Sequence, residues 1–392
     1  MTALPLPKIF EAVAALGTLS SLVFYLLSAL GMASFLRARQ KMLQKPLLPD
    51  QKLPPISILK PLKGVDPNIW ECFSSHCEQK YPEFQLIFGV SDADDPAIEI
   101  VGRLQETYPS HAIELVVCGR SLGTNTKVSN LVQMLAMATH DVLVVNDSDI
   151  RVPADYLRDL AVPLVDQSLG LVTCLYFGVP SPTLGSRLES LSISTDFAPG
   201  VLTARLLERK LRFGLGSTLA FRRSDLQAAG GFEGLLDYLA DDYELGRRIA
   251  ANGKRVELGV SVVETFLPPY NFRQFFSHQL RWARTIRDVR RWGYAGTLLT
   301  YGLPWALATM LFSRGALWAW ALFAMTALAR LASGYAAASV VLGDPSFVRN
   351  VWLLPLRDLL APFFWIASFM GNSIRWRGDT FILKDGRLTR AS

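Results

Sequence analysis

Residues 12–36, AVAALGTLSSLVFYLLSALGMASFL, run for 25 positions without a charged side chain. At about 1.5 Å per residue, a helix of that length is roughly 37 Å long and can cross a hydrocarbon layer of about 30 Å with some tilt. A cleaved secretion signal is the rival reading. Its apolar core is usually about 7–15 residues and follows a basic start, whereas here Arg37, Arg39, Lys41 and Lys45 come afterwards. The segment therefore reads as a retained membrane anchor whose C-terminal end faces the cytoplasm, the side on which basic loops accumulate.

A second apolar region fills residues 297–371, with crossings expected near 297–312, 315–340 and 351–371 and interruptions at Pro304, Arg314 and Arg330. Three crossings would place the tail, with Arg375, Arg377, Lys384, Arg387 and Arg390, on the outer side, against the charge rule. The first candidate is short and holds a proline, so a re-entrant or interfacial course would return the tail to the cytoplasm. Arg357 and Asp358 fall inside the last apolar stretch. Charges at such depth face protein, water or head groups, and both a structural pairing and a role toward lipid are open.

Between these regions, residues 50–272 have the composition of a soluble domain, entered through the linker LPDQKLPP at 48–55. The four cysteines, Cys72, Cys77, Cys118 and Cys174, include no CxxC pair, and the one histidine close to them in sequence is His76. Neither a zinc site nor a disulfide framework is indicated, and reduced thiols in cytosol fit best. The net charge of +6 lies largely beside apolar segments, which favours anionic lipid or an anionic nucleotide over nucleic acid as partner. ISILKP (56–61), FQLIFGV (84–90), AIELVVCG (112–119) and DVLVVNDSD (141–149) read as strands, separated by stretches with helical apolar spacing. That alternation predicts an α/β fold, a mostly parallel sheet with helices on its faces, whose ligands bind beyond the carboxyl ends of the strands.

The glycine patterns of nucleotide-binding loops are missing: no GxGxxG follows the first strand, GLGSTLAFRR (214–223) lacks the third glycine, and GxxxxGK[ST] is absent. A nucleotide would need another grip, and a divalent metal held by carboxylates is the obvious one. In NDSD, alternation turns Asp147 and Asp149 to one side. Two oxygen ligands from one short segment can hold Mg2+ or Mn2+ and leave positions for diphosphate oxygens. Asp92 ends another strand, where its carboxylate could accept from a nucleobase or ribose. Asp241 and Asp242 open a helical run, where the dipole stabilises acids and where an acid can also serve as general base. In HQLRWARTIRDVRRW (278–292), Trp282, Ile286, Val289 and Trp292 form one stripe, with Arg281, Arg284, Arg287 and Arg291 covering much of the rest. That is a basic amphipathic helix of the kind that lies at a membrane surface.

The order LKPLKGVDP (59–67), SDADDPA (91–97), NDSDIRV (146–152), GGF (230–232), ADDY (240–243) and RW (281–282) resembles the ceramide glucosyltransferase family, glycosyltransferase family 21, with the bacterial hopanoid-biosynthesis glycosyltransferases as near relatives. The resemblance covers about residues 10–380. It implies the GT-A fold, a UDP-sugar donor, a divalent metal (Mg2+ or Mn2+) and inversion at the sugar carbon by a lipid hydroxyl. By position it makes Asp92 a nucleotide contact, Asp147 and Asp149 the metal and diphosphate site, and Asp242 the catalytic base. Asn125 and Lys127, in GTNTKVSNL, match a stretch beside the nucleotide, with a capped helix start as the alternative for that stretch. Arg281 and Trp282 match the end of [Q/R]xxRW; the first position of that pattern is His278 here, a departure that leaves its role toward diphosphate open.

The implied organisation is an anchor with basic linker (1–49), a GT-A catalytic domain (50–272), an interfacial helix (273–296), a C-terminal membrane region (297–372) and a basic tail (373–392). The implied reaction is transfer of a hexose from UDP to a membrane lipid, in the manner of ceramide glucosyltransferase. Transfer of N-acetylglucosamine to a hopanoid is the alternative, and both place the protein in a membrane, a bacterial inner membrane, with the catalytic domain in the cytoplasm. A polysaccharide synthase would need more membrane helices. A metal-dependent phosphohydrolase would not need the separate acid at 92 or the RW helix, and an inactive sugar-nucleotide-binding scaffold would not need the acids at 92, 147, 149 and 242.

Overall fold

Four of the apolar runs form neighbouring parallel strands: β1 (Ile56–Leu62), β2 (Phe84–Val90), β3 (Ala112–Val117) and β4 (Val142–Val145). The computed structural model describes residues 6–44, 53–376 and 379–390, so most of the linker expected at 48–55 and Arg377 of the tail lie outside the described residues. β1 and β4 are buried at every position, which is why they read as unbroken apolar runs rather than as alternating ones. The sheet continues through β5 (Ile150–Arg151), β6 (Leu169–Val179), β7 (Leu219–Arg222) and β8 (Arg255–Phe266) in the order β3-β2-β1-β4-β7-β6-β8-β5. β7 runs antiparallel to β4 and β6, and β5 antiparallel to β8, so the mostly parallel sheet expected from the sequence is mixed on one side.

Helices α2 (Ile69–Cys77), α3 (Ala97–Thr107), α4 (Thr126–Met134), α5 (Tyr156–Leu164), α8 (Arg223–Ala228) and α9 (Asp241–Ala251) belong with this sheet. Its core is continuous from Ile56 and Phe73 to Tyr156 and Val263, with the Phe73 and Phe88 rings 4.6 Å apart. All four cysteines are free and buried, and Cys72, Cys77 and Cys174 lie in this core. The sheet unit comprises Ala38–Ser181, Glu208–Pro268 and Gly386–Ser392.

The second compact unit comprises Met1–Arg37, Pro182–Leu207 and Pro269–Asp385. It holds most of α1 (Leu6–Leu43), then α6 (Leu184–Ser192), α7 (Ala198–Glu208), α10 (Phe272–Val289), α11 (Arg291–Gly296), α12 (Gly302–Phe312), α13 (Leu317–Tyr335), α14 (Phe347–Asn350) and α15 (Leu354–Phe369). A hairpin of β9 (Ser373–Trp376) and β10 (Asp379–Lys384) follows, and the last strand, β11 (Arg387–Arg390), returns to the sheet unit. Three helical segments among the described residues are long and apolar enough to cross a membrane: Leu6–Leu43, Leu317–Leu342 and Phe347–Phe369. The crossing expected at 297–312 is a pair, Arg291–Thr300 and Gly302–Phe312, bent by 53°; α12 at 11 residues is too short to span alone.

Small residues let these helices approach: a Cβ on Gly17 would stand 2.3 Å from the Trp305 ring, and the Thr18 and Thr309 hydroxyls meet at 2.9 Å. Asp358 does not pair with its neighbour Arg357. Its carboxylate takes Nε and Nη2 of Arg330 on α13 at 2.9 and 2.8 Å, while Arg357 Nη2 faces Asp196 at 3.0 Å. Arg330, which reads in sequence as an interruption, is buried with Asp358, Asp196 and the Thr195 carbonyl around it.

Candidate active site

The turn after β4 is fixed from several sides. Asn146 is fully buried, and its amide donates to the Tyr156 hydroxyl at 2.8 Å and the Ser217 carbonyl at 2.7 Å. Lys60, on the adjacent strand β1 and fully buried, donates to the carbonyl of Asp147 at 3.0 Å. Burial pulls the Lys60 ammonium down to about 8, against the nearby carboxylates of Asp149, Asp147 and Asp66. Ser148 donates to Asp66 at 2.5 Å, and Asp149 Oδ2 accepts from the Thr265 hydroxyl at 2.5 Å. The Asp147 carboxylate is left partly exposed, with its side chain 41 % accessible.

The second pair of acids arrives on α9, whose first turn holds Asp241, Asp242 and Glu244 at the positive end of the helix. Gly214 donates to the Asp242 carbonyl at 3.3 Å, and Gly246 lets α9 sit close, since a Cβ there would meet Gly214 N at 2.3 Å. Gly216 shows where the two acidic segments converge. A Cβ on it would lie 3.2 Å from Asp242 Oδ2 and 3.5 Å from Asp147 Oδ2. Lys127 Nζ stands 2.8 Å from Asp147 Oδ1 and 3.5 Å from Asp241 Oδ2.

This crowding sets the protonation chemistry. Burial first, and then the Asp241 charge, pushes the Asp242 carboxyl up to about 7, and burial followed by the Asp147 charge raises Asp149 to about 7. Burial also raises Asp241. For Lys127 burial works against the ammonium, but Asp147 and Asp241 outweigh it and hold its proton more tightly than usual. A carboxyl poised near neutrality beside an open carboxylate and a buried cation can accept a proton from a hydroxyl while the rest of the site handles an anionic group.

The model of glycosyl transferase family 21 matches residues 16–389. This chain belongs to glycosyl transferase family 21. Family 21 relatives include ceramide glucosyltransferase 3 of Caenorhabditis elegans, 24% identical over 86% of this chain and 74% of the relative. Ceramide glucosyltransferase 1 of the same organism is 22% identical over 88% and 75%. Among solved structures, the mannosyltransferase PcManGT of Pyrobaculum calidifontis, in complex with GDP-Man and Mn2+, superimposes with a TM-score of 0.50 at 21% identity, covering 92% of this chain and 98% of that one. The fold is GT-A-like, as the motif order implied.

For this family 21 protein the donor set around Asp147 bears on a metal. Among the described residues no group of three or more Asp, Glu, His or Cys side chains is arranged to hold an ion. Asp147 and Asp149 offer two hard oxygen donors from one turn, and Asp149 is a buried carboxyl raised by burial and by the Asp147 charge, which a bound cation would offset. That set fits a small divalent ion that keeps waters and completes its shell with substrate phosphate.

Asp92 lies exposed beyond the end of β2, and its Oδ1 accepts from Asp94 N at 3.0 Å. Asp95 does the structural work of that loop, accepting from Gly64 N and Ala97 N, both at 2.9 Å. Asn125 takes the cap alternative: it is fully buried, Oδ1 accepts from Val128 N at 3.2 Å, and Nδ2 donates to the Tyr238 carbonyl at 2.7 Å.

Arg281 and Trp282 lie on α10, in the helical unit, where Trp282 meets Phe197 edge-on at 5.5 Å. In the same unit His278 Nδ1 lies 3.0 Å from the buried Glu189 carboxylate, and its ring stacks on Tyr270. Two arginines expected on a lipid-facing surface are used within the protein. Arg287 donates to the carbonyls of Ser368 and Gly371 and to Asn372, and Arg284 donates to the carbonyl of Ser373. For Arg287 the physical reason is the carbonyls left open at the end of α15. Lys60 was not singled out by the sequence, where a lysine within a strand buried at every position was the available signal.

Proposed function

We propose that the protein transfers glucose from UDP-glucose to the hydroxyl of ceramide or a similar neutral lipid, with Asp242 as base. The convergence of Asp242 and Asp147 on Gly216, with Lys127 beside them, carries this reading. The likeness to two ceramide glucosyltransferases supports the sugar and the acceptor. The lipid hydroxyl oxygen forms a bond to the sugar's C1 as the bond from C1 to the diphosphate breaks, so the configuration inverts. The proton passes to the Asp242 carboxylate, and UDP leaves with the electron pair.

Asp147 and Asp149 would hold Mg2+ or Mn2+, which when bound supplies positive charge to the departing diphosphate. The mannosyltransferase with the similar fold is in complex with both GDP-Man and Mn2+. Lys127 orients the Asp147 carboxylate, and Lys60 fixes the backbone of the same turn. Asp92, at a strand end, binds the nucleotide; Asn125 supports that side of the site from its cap position. The motif order assigns Arg281 to the growing charge on UDP and Trp282 to the acceptor or diphosphate pocket.

The long apolar helices make this a membrane protein. The catalytic unit faces the cytoplasm of a bacterial inner membrane, since Arg37, Arg39 and Lys41 follow the apolar part of α1 and the cysteines are free. The test is product analysis by mass spectrometry with the full chain in membranes, given UDP-glucose or UDP-N-acetylglucosamine, Mg2+ or Mn2+, and ceramide or bacteriohopanetetrol. Glucosylated ceramide is expected from the wild type and none from Asp242→Asn, which still binds UDP-glucose. Full transfer by Asp242→Asn removes the base assignment, and a glycosylated hopanoid alone reassigns the acceptor.

A further inference from the structure

The five residues before the acid pair, 236–240, have no regular structure of their own, yet they set where α9 begins. Three things hold them. Asn125 N donates to the Leu236 carbonyl at 2.8 Å and its side chain to the Tyr238 carbonyl, with Asp241 Oδ1 3.4 Å away. Thr124 donates to Asp237 Oδ1 from N at 3.0 Å and from Oγ1 at 2.9 Å.

The third is the C-terminal strand. Leu239 N donates to the Gly386 carbonyl at 3.0 Å and Leu388 N to the Asp237 carbonyl at 2.7 Å, so Tyr238 and Arg387 form an antiparallel bridge. The Leu388 carbonyl accepts from Thr124 Oγ1 at 3.3 Å, and the Leu388 side chain is 1% exposed. The Tyr238 ring carries two guanidiniums, Arg248 of α9 at 5.3 Å and Arg387 at 5.2 Å. Residues read from composition as a basic tail thus contribute a strand to the catalytic unit.

We infer that β11 is a positioning element for catalysis: by pairing with 237–239 it fixes the start of α9 and hence the Asp242 carboxylate. The inference rests on the reading of Asp242 as base. Main-chain pairing gives the strand its hold, as in any added edge strand. The side chains of Leu388 and Arg387 choose the register. Because the Asp147 turn is held by other contacts, loss of β11 acts on the proton acceptor and leaves donor binding in place. A catalytic group displaced by about 1 Å can lose on the order of 100-fold in rate.

The experiment compares the full chain with a protein ending at Asp385, and with Leu388→Asp, Leu388→Met and Thr124→Val. kcat with ceramide and the KM for UDP-glucose are measured for each. The shortened protein and Leu388→Asp are expected to lose at least tenfold in kcat while the donor KM stays within threefold; Leu388→Met keeps the wild-type kcat. Thr124→Val is isosteric and covers the case in which the shortened protein does not fold; it is expected to lose about threefold in kcat, with the hydroxyl's bonds to Asp237 and to the Leu388 carbonyl both gone. A wild-type kcat in Thr124→Val and in whichever strand variants fold overturns the inference, as does a parallel loss of donor affinity. Activity in Asp242→Asn would strike the base assignment instead, so the two failures are read from different proteins.

Discussion

Lys127 and Asp147 form an ion pair, 2.8 Å from Nζ to Oδ1, with the lysine side chain only 10% accessible. The same ammonium faces Asp241. It is the ammonium paired with these two carboxylates, so removing it leaves Asp147, Asp241 and Asp242 to repel one another. Lys127→Met is expected to lower kcat/KM at least tenfold. In the double variant Lys127→Met/Asp241→Asn one of the crowded charges is gone, and the loss should be no greater than in Lys127→Met alone. Steady-state kinetics on the four proteins of the cycle checks this; additive losses would mean that Lys127 does not act through Asp241.

The raised Asp242 carboxyl gives the reaction an acid limit. A base must be ionised to accept a proton, so activity is present above its pKa and lost as pH falls through it. With Asp242 near 7, kcat/KM at saturating Mn2+ should fall about tenfold per pH unit once the pH is well below that value. Asp241 is the largest charge raising Asp242. Asp241→Asn should therefore shift the acid limb to lower pH, and a limb that stays in place would show that the titrating group is not Asp242.

Gly216 tests whether the space between the acids is where chemistry happens. Its backbone needs no glycine-specific angle, so Gly216→Ala leaves the chain path intact but inserts a methyl 3.2 Å from Asp242 Oδ2. A loss of about 10–100-fold in kcat is expected, with the thermal unfolding midpoint close to wild type. Gly119→Ala is the control, because a Cβ there meets nothing within 4 Å. Equal activity in both variants would place the reacting atoms elsewhere.

Much of this site was legible because its signals are local. β1 to β4 announce themselves as apolar runs, and the turn NDSD follows directly from one of them. Asp241 and Asp242 could be placed at a helix start from the pattern of ADDYELGRRI alone. The segment 182–207 was not legible. It carries Glu189 and Asp196 and reads as part of the soluble domain, yet it groups with the helical unit. Its polar groups find partners far along the chain: Glu189 meets Gln279 at 2.7 Å, Ser194 meets Asp344 at 2.7 Å and Asp196 meets Arg330 at 2.9 Å. Periodicity cannot report a charge neutralised by a residue more than a hundred positions away. β11 was hidden for a similar reason, since its pairing with 237–239 leaves no mark on RLTR itself.

His76 makes the last prediction, and it concerns stability. The ring is fully buried; Nδ1 lies 2.8 Å from the Cys72 carbonyl, which can only accept, so the proton sits on Nδ1. Burial, and then the Lys60 charge, holds its pKa well below the usual histidine value. In the unfolded chain the same ring takes up a proton below about pH 6.5. The unfolded state then binds more protons than the folded one, so stability falls as pH drops below about 6.5 and keeps falling until the folded pKa is reached. The contribution of this one group is about 1.4 kcal/mol for each pH unit in that window. Thermal unfolding midpoints of the full chain between pH 7 and 5 should therefore decline more steeply in the wild type than in His76→Phe. The variant is expected to start lower at pH 7, because the Cys72 carbonyl loses its donor. Parallel curves for the two proteins would show that His76 is not the buried neutral group.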